Sequence, residues 1–235
     1  VKLLSNLMLT ETITISSGVF TLDLNEKNVV FSETATIGFE ISGGKVTFAG
    51  NGTVTKEDGT VTVVNTDAVV TISGGIYDGA VALANAGTVT VSGGTLKGSG
   101  FGIRNTGDLT IAGGEVSPYQ KNTSNPYNVT AIISSGGRIT VTGGTLKGGR
   151  FGMIMYQDGT IDLVGFREAK DVTIWRDDLS TVEMNASDVM LPEGFGLFDE
   201  SGTQQTGSIA EGTMLTVKRL HVHDWSYMAE GDTIT

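Results

Sequence analysis

The 235-residue chain has no cysteine, three prolines and two histidines. Without cysteine there can be no disulfide staple and no thiolate zinc module, although the absence says little about compartment. Basic residues are also short: 15 Lys and Arg stand against 26 Asp and Glu, for a net charge of -11. Such a surface repels phosphate backbones, which argues against nucleic acid as a partner. No apolar run reaches the roughly 18 residues that a membrane-spanning helix needs, so no membrane insertion is expected. No signal peptide is visible. The chain opens inside strand-like sequence, which points to a piece of a longer protein.

What the chain does have is glycine, 34 residues of it, often in pairs that follow a short β-type run. The pairs begin at Gly43, Gly74, Gly93, Gly113 and Gly143, spacings of 31, 19, 20 and 30 residues. A period near 20, twice lengthened by about 10, marks a stacked repeat protein. Residues 68–87, 88–107, 108–137 and 138–159 align as four coils of three short strands separated by glycine-rich corners. The expected fold is all-β, a right-handed, single-stranded parallel β-helix with a small C-terminal β cap.

Alternation sets the faces of each strand. Val70 and Ile72 match Val89 and Val91, Leu109 and Ile111, Ile139 and Val141, then Ile161 and Leu163, and should point inward. Thr71, Thr90, Thr110 and Thr140 lie between them and should point out. In another strand Val81 and Leu83 match Phe101 and Ile103, then Phe151 and Met153. Asn65, Asn85 and Asn105 fall in one column, followed by Ser134 and Met155. An inward asparagine at a corner can bond its neighbour and freed backbone groups, so a structural ladder is expected. The two long spacings are read as polar loops thrown out from the coil, at residues 117–129 and 49–59.

Domain bounds follow from where the repeat holds. Residues 1–180 read as the β-helix with an N-terminal cap, because an open end exposes unpaired backbone and core. Residues 181–220 read as an irregular β cap, with turns at Pro192-Glu193-Gly194 and Glu200-Ser201-Gly202. Residues 221–235 read as the start of a following module or linker.

The run Thr21-Leu22-Asp23-Leu24-Asn25, followed by coils of the form Thr71-Ile72-Ser73-Gly74-Gly75, resembles the pectin-lyase-like parallel β-helix regions of secreted and surface proteins from gut Firmicutes. The tail, with His223, Trp225, Tyr227 and Gly231-Asp232-Thr233, looks like the start of a repeated module that follows such regions. The resemblance implies secretion and attachment at the cell surface, with a glycan or a host or cell-surface component as partner.

Candidate chemistry is sparse, and no cofactor is expected. Polygalacturonases of this fold carry Asn-Thr-Asp, Asp-Asp, Gly-His-Gly and Arg-Ile-Lys motifs. Here Asn65-Thr66-Asp67 and Asp177-Asp178 are present, over 100 residues apart, and the other two are missing. A lyase would need clustered acidic calcium ligands and a cationic base. The outward column Asp78, Lys97, Ser117 and Lys147, with Arg104 and Arg150 near in register, is mixed in sign. His221 and His223, with Asp224, are weak zinc candidates. Tyr119 and Tyr127 offer flat rings for a sugar face, and Lys97 and Lys147 complete the tentative ligand-binding set. The leading expectation is a non-catalytic stalk or adhesion module with carbohydrate contact. The alternative is a pectate lyase-like or polygalacturonase-like enzyme.

Overall fold

The structure is a computed structural model, and it describes residues 1–119, 130–141, 144–146, 151–155, 160–162, 173–176, 184–191, 194–210 and 213–220. These residues form a β-solenoid: an all-β chain of parallel strands, with no α-helix among the described residues. No helix there is long and apolar enough to cross a membrane.

Each coil contributes one strand to each of three stacks. The first stack runs Leu7, Val29, Val54, Tyr77, Leu96, Val116, Leu146 in register. The second runs Ile13, Phe39, Thr62, Leu83, Ile103, Ile132, Met153, Ile174. The third runs Phe20, Val46, Val70, Val89, Leu109, Ile139, Ile161, Val189. Neighbours in a stack lie about 4.8 Å apart, so through the middle coils buried apolar side chains pack above and below one another, with Thr62 standing between Phe39 and Leu83. Val70, Ile72, Val89, Val91, Leu109, Ile111 and Ile139 are all buried. The threonine column lies on the outer face and extends further than the four aligned coils, through Thr21 and Thr47 to Thr71, Thr90, Thr110 and Thr140. Aromatic rings thread the early core, with centroids 5.2 Å apart for Phe31–Phe39 and Phe39–Phe48, and 5.9 Å for Phe48–Tyr77.

The glycine pairs have a geometric cause. In Gly74-Gly75 and Gly93-Gly94 the second residue has φ of +83° and +79°, a left-handed turn that glycine adopts without a side-chain clash. The first residue is pressed on the coil before it: a Cβ at Gly93 would stand 2.5 Å from the Ser73 carbonyl. One glycine turns the chain and the other lets two backbones touch.

Three expectations are corrected. Gly43-Gly44 does not share the corner of the later pairs. It joins Ile37–Ile41 of the second stack to Gly44–Ala49 of the third, and Gly44 pairs with Ala68. The equivalent of Gly74-Gly75 one coil earlier is Gly50-Asn51-Gly52, since a Cβ at Gly74 would meet the Gly50 carbonyl at 2.7 Å. Residues 49–59 are therefore no projecting loop. Gly52–Val64 is strand, paired to the coils on both sides and interrupted between Lys56 and Thr60. Lys56 takes an inward position and is 4% exposed. The 117–129 insertion likewise starts late: Ser117 and Pro118 pair with Lys97 and Gly98 inside the strand Glu115–Pro118, and residues 120–129 lie outside the described residues.

The two ends differ. At the C-terminal end the parallel strand Thr173–Arg176 pairs antiparallel with Met214–Arg219, which pairs in turn with Phe195–Phe198. Leu197, Ile209 and Leu215 are buried there. The turn after Phe198 is organised by Asp199, whose Oδ1 accepts from the Ser201 and Thr203 amides at 2.9 Å each. The Ser201 hydroxyl and these amides hold its carboxyl below the ordinary range. At the other end residues 1–3 pair with the end of the first coil's third strand at Asp23, and Leu3 is buried there. The first coil's strands Leu7–Leu9, Ile13–Ile15 and Val19–Asp23 leave Leu7, Ile13 and Phe20 exposed around an apolar hollow of about 240 Å³.

Candidate functional site

The outer face of the first stack gathers most of the described candidate residues. Thr55, Asp78, Lys97 and Ser117 follow one another in register, because each is the outward neighbour of a buried residue. Lys97 thus stands between Asp78 and Ser117. The Ser117 hydroxyl donates to Glu115 Oε1 at 3.2 Å. Tyr119 follows directly, its amide donating to the Gly98 carbonyl at 2.8 Å. Its phenol donates back across Lys97 to Asp78.

This tether sets the chemistry of Tyr119. Partial burial, then the Asp78 hydrogen bond, then the charges of Asp78, Glu57 and Asp58 push its phenol up to about 12. A phenol so placed stays protonated at neutral pH and serves as donor, not as base. The half-buried ring is the part of Tyr119 that a sugar face could meet. No group of three or more His, Asp or Glu able to hold a metal ion occurs among the described residues. Tyr127, Lys147, Arg150, Asp177, Asp178, His221 and His223 lie outside the described residues.

Arg104 is not part of this face. It occupies the second stack, between Ala84 and Ile133 in a column that also holds Glu40 and Val63. Small Ala84 beside exposed Arg104 opens a shallow groove of about 310 Å³, bordered by Asn65, Thr106 and Ser135. The sequence signal was available, a small residue at an outward position flanked by larger ones. Sequence proximity to the Asp78 column hides it, because a corner separates the two faces.

The asparagine ladder lies beneath this groove. Asn85 Nδ2 donates to Asn105 Oδ1 at 2.8 Å and to the Asp108 carbonyl at 3.1 Å. Asn85 Oδ1 accepts from the Gly87 amide at 3.0 Å. Asn105 Nδ2 reaches the Gly107 carbonyl at 2.9 Å and Ser134 Oγ at 3.3 Å. Asn85, Asn105 and Ser134 are at most 3% exposed, so each bond satisfies a corner that water cannot reach. Asn65 does not belong to it. Val64 is the residue paired with Asn85, and Asn65, one position on, turns outward to Glu40 Oε1 at 3.4 Å. This corner is two residues longer than the next: four residues, 65–68, lie between the paired positions Val64 and Val69, against two, 86–87, between Asn85 and Thr88.

No family model matches the chain, and no match was found among the curated proteins or the solved structures.

Proposed function

We propose that this chain is a non-catalytic β-helical segment of a secreted or cell-surface protein, a rigid stalk or adhesion module whose long outer faces contact carbohydrate. The observation that carries the reading is the stacking of three parallel strand columns through successive coils. Such a solenoid resists bending, because every coil is hydrogen-bonded and packed against both neighbours. Its candidate contact surface is the face bearing Lys97 and the Tyr119 ring, with the Arg104 groove on the adjacent stack. Pectin-lyase-like surface regions are the family that this reading favours. A glycan array run beside a bond-cleavage assay on pectin and other acidic polysaccharides tests it. Binding without cleavage, weakened by Lys97→Ala or Tyr119→Ala, is the expected result. Cleavage abolished by Asp78→Asn or Asp67→Asn would make the chain an enzyme instead.

A further inference from the structure

We propose that Asn51 is a site of spontaneous deamidation and isomerisation, a covalent modification of the corner that joins the second coil to the third. Asn51-Gly52 is the sole Asn-Gly step in the chain. It stands where the later coils carry Gly-Gly, between Gly50 at φ +76° and Gly52 at φ +147°. Glycine has no Cβ to shield its backbone nitrogen, so the nitrogen of Gly52 can close on the Asn51 side chain.

The reaction consumes only water. The Gly52 nitrogen gives its proton to solvent and bonds to Asn51 Cγ, and ammonia leaves with a proton. The resulting succinimide takes up water. Opening the ring at the Cγ–N bond gives Asp, and opening it at the main-chain carbonyl gives isoaspartate.

The fold separates Asn51 from the asparagines of the ladder, and the following glycine separates it from the others. It is exposed, and its side chain makes no hydrogen bond among the described residues. The amides of Asn85 and Asn105 are buried and bonded to several partners that ring closure would have to break. The consequences are local. The Asn51 carbonyl accepts from the Glu26 amide, and a Cβ at Gly50 would collide with the Asp23 carboxylate. Conversion therefore adds a third carboxylate beside Asp23 and Glu26, near Lys27. Isoaspartate also adds a backbone methylene directly before the Lys27–Gly52 and Asn28–Thr53 pairs.

The test incubates the folded protein in mildly alkaline buffer, with peptide mapping by mass spectrometry and isoaspartate methyltransferase labelling. Asn51 should convert about tenfold or more faster than Asn85 and Asn105. The melting temperature should fall with age in the native chain but not in Asn51→Gln, an exposed substitution whose fold is checked by circular dichroism. Unchanged Asn51 in the folded protein, alongside conversion in a synthetic peptide of residues 46–56, would overturn the proposal. So would equal rates at the three asparagines, or equal loss of stability in Asn51→Gln.

Discussion

The middle of the solenoid and its N-terminal end are written in the same alternating code, yet they bury their side chains very differently. Ile103 lies between Leu83 and Ile132 and is fully buried. Phe20 holds the equivalent inward position of the third stack in the first coil, has a neighbour on one side only, and is 43% exposed. Alternation decides which way a residue faces. A coil on both sides decides whether facing inward removes it from water. The C-terminal end shows how the same problem is solved within the chain: an antiparallel strand, Met214–Arg219, lies against the last strand of the second stack, Thr173–Arg176, and Leu215 is buried.

Core truncation should separate the two regions most strongly. Ile103→Ala should cost about 2–5 kcal/mol, the range for emptying a tightly packed site. Phe20→Ala should cost under about 1 kcal/mol, close to a surface change. Denaturant unfolding of both variants measures the gap, and equal losses would mean that the first coil is as well packed as the middle.

Glycine replacement gives the next contrast. Gly94 has φ +79° and sits against the backbone of Gly74 and Gly75, so a methyl group meets atoms at 2.7–2.8 Å that cannot move aside. Gly94→Ala should lower stability by about 2–3 kcal/mol. Gly18 has φ +89°, but its nearest obstacle is the movable ring of Phe20 at 3.1 Å. Gly18→Ala should carry the backbone strain alone, about 1 kcal/mol. Thermal melts of the pair resolve the difference.

The ladder sharpens the comparison within the middle coils. Asn85→Leu leaves the Gly87 amide without its acceptor and Asn105 Oδ1 without its donor, and should cost about 1–3 kcal/mol. Asn65→Leu, outside the ladder, should change stability by no more than about 0.5 kcal/mol. A reversed order would place the ladder at the wrong asparagine.

The smallest effect belongs to Tyr119. Its phenol is held up to about 12 in the folded chain, against an ordinary value near 10. The folded state then keeps a proton that the unfolded chain releases, so this contribution is complete below about pH 10 and is lost as pH rises toward 12. Tyr119→Phe should lose less than about 1 kcal/mol at neutral pH. It should also flatten the fall in stability above pH 10, which unfolding curves at alkaline pH would reveal. An unchanged alkaline profile would show that the Asp78 tether is not a stabilising contact.

Much of this architecture was legible in the residues themselves. The inward columns from Val70 to Ile139 and the threonine face are properties of period-two alternation, which is local. The later glycine pairs are legible for the same reason, since a left-handed turn between two strands leaves a mark within four residues. The errors arose where one local signal serves two places. Gly43-Gly44 spells the same corner as Gly74-Gly75 but occupies another, and this made residues 49–59 look like an insertion. Arg104 aligns with Ala84, six positions beyond Asp78 in the repeat, and lies on a different face because a corner stands between those positions.

By itself the sequence determined a β-solenoid: strand faces, glycine corners and a period that only stacking can satisfy. It could not determine which coil lies against which residue. Register is fixed by backbone bonds between strands some 20 to 30 positions apart, and a one-residue slip at a corner exchanges inside for outside. That is why Val64 rather than Asn65 meets Asn85. The same non-local pairing brings Tyr119 across two coils to Asp78 and leaves Asn51 alone at an open corner. Tertiary structure decided each of these, because each depends on a neighbour that the chain reaches only after a full turn.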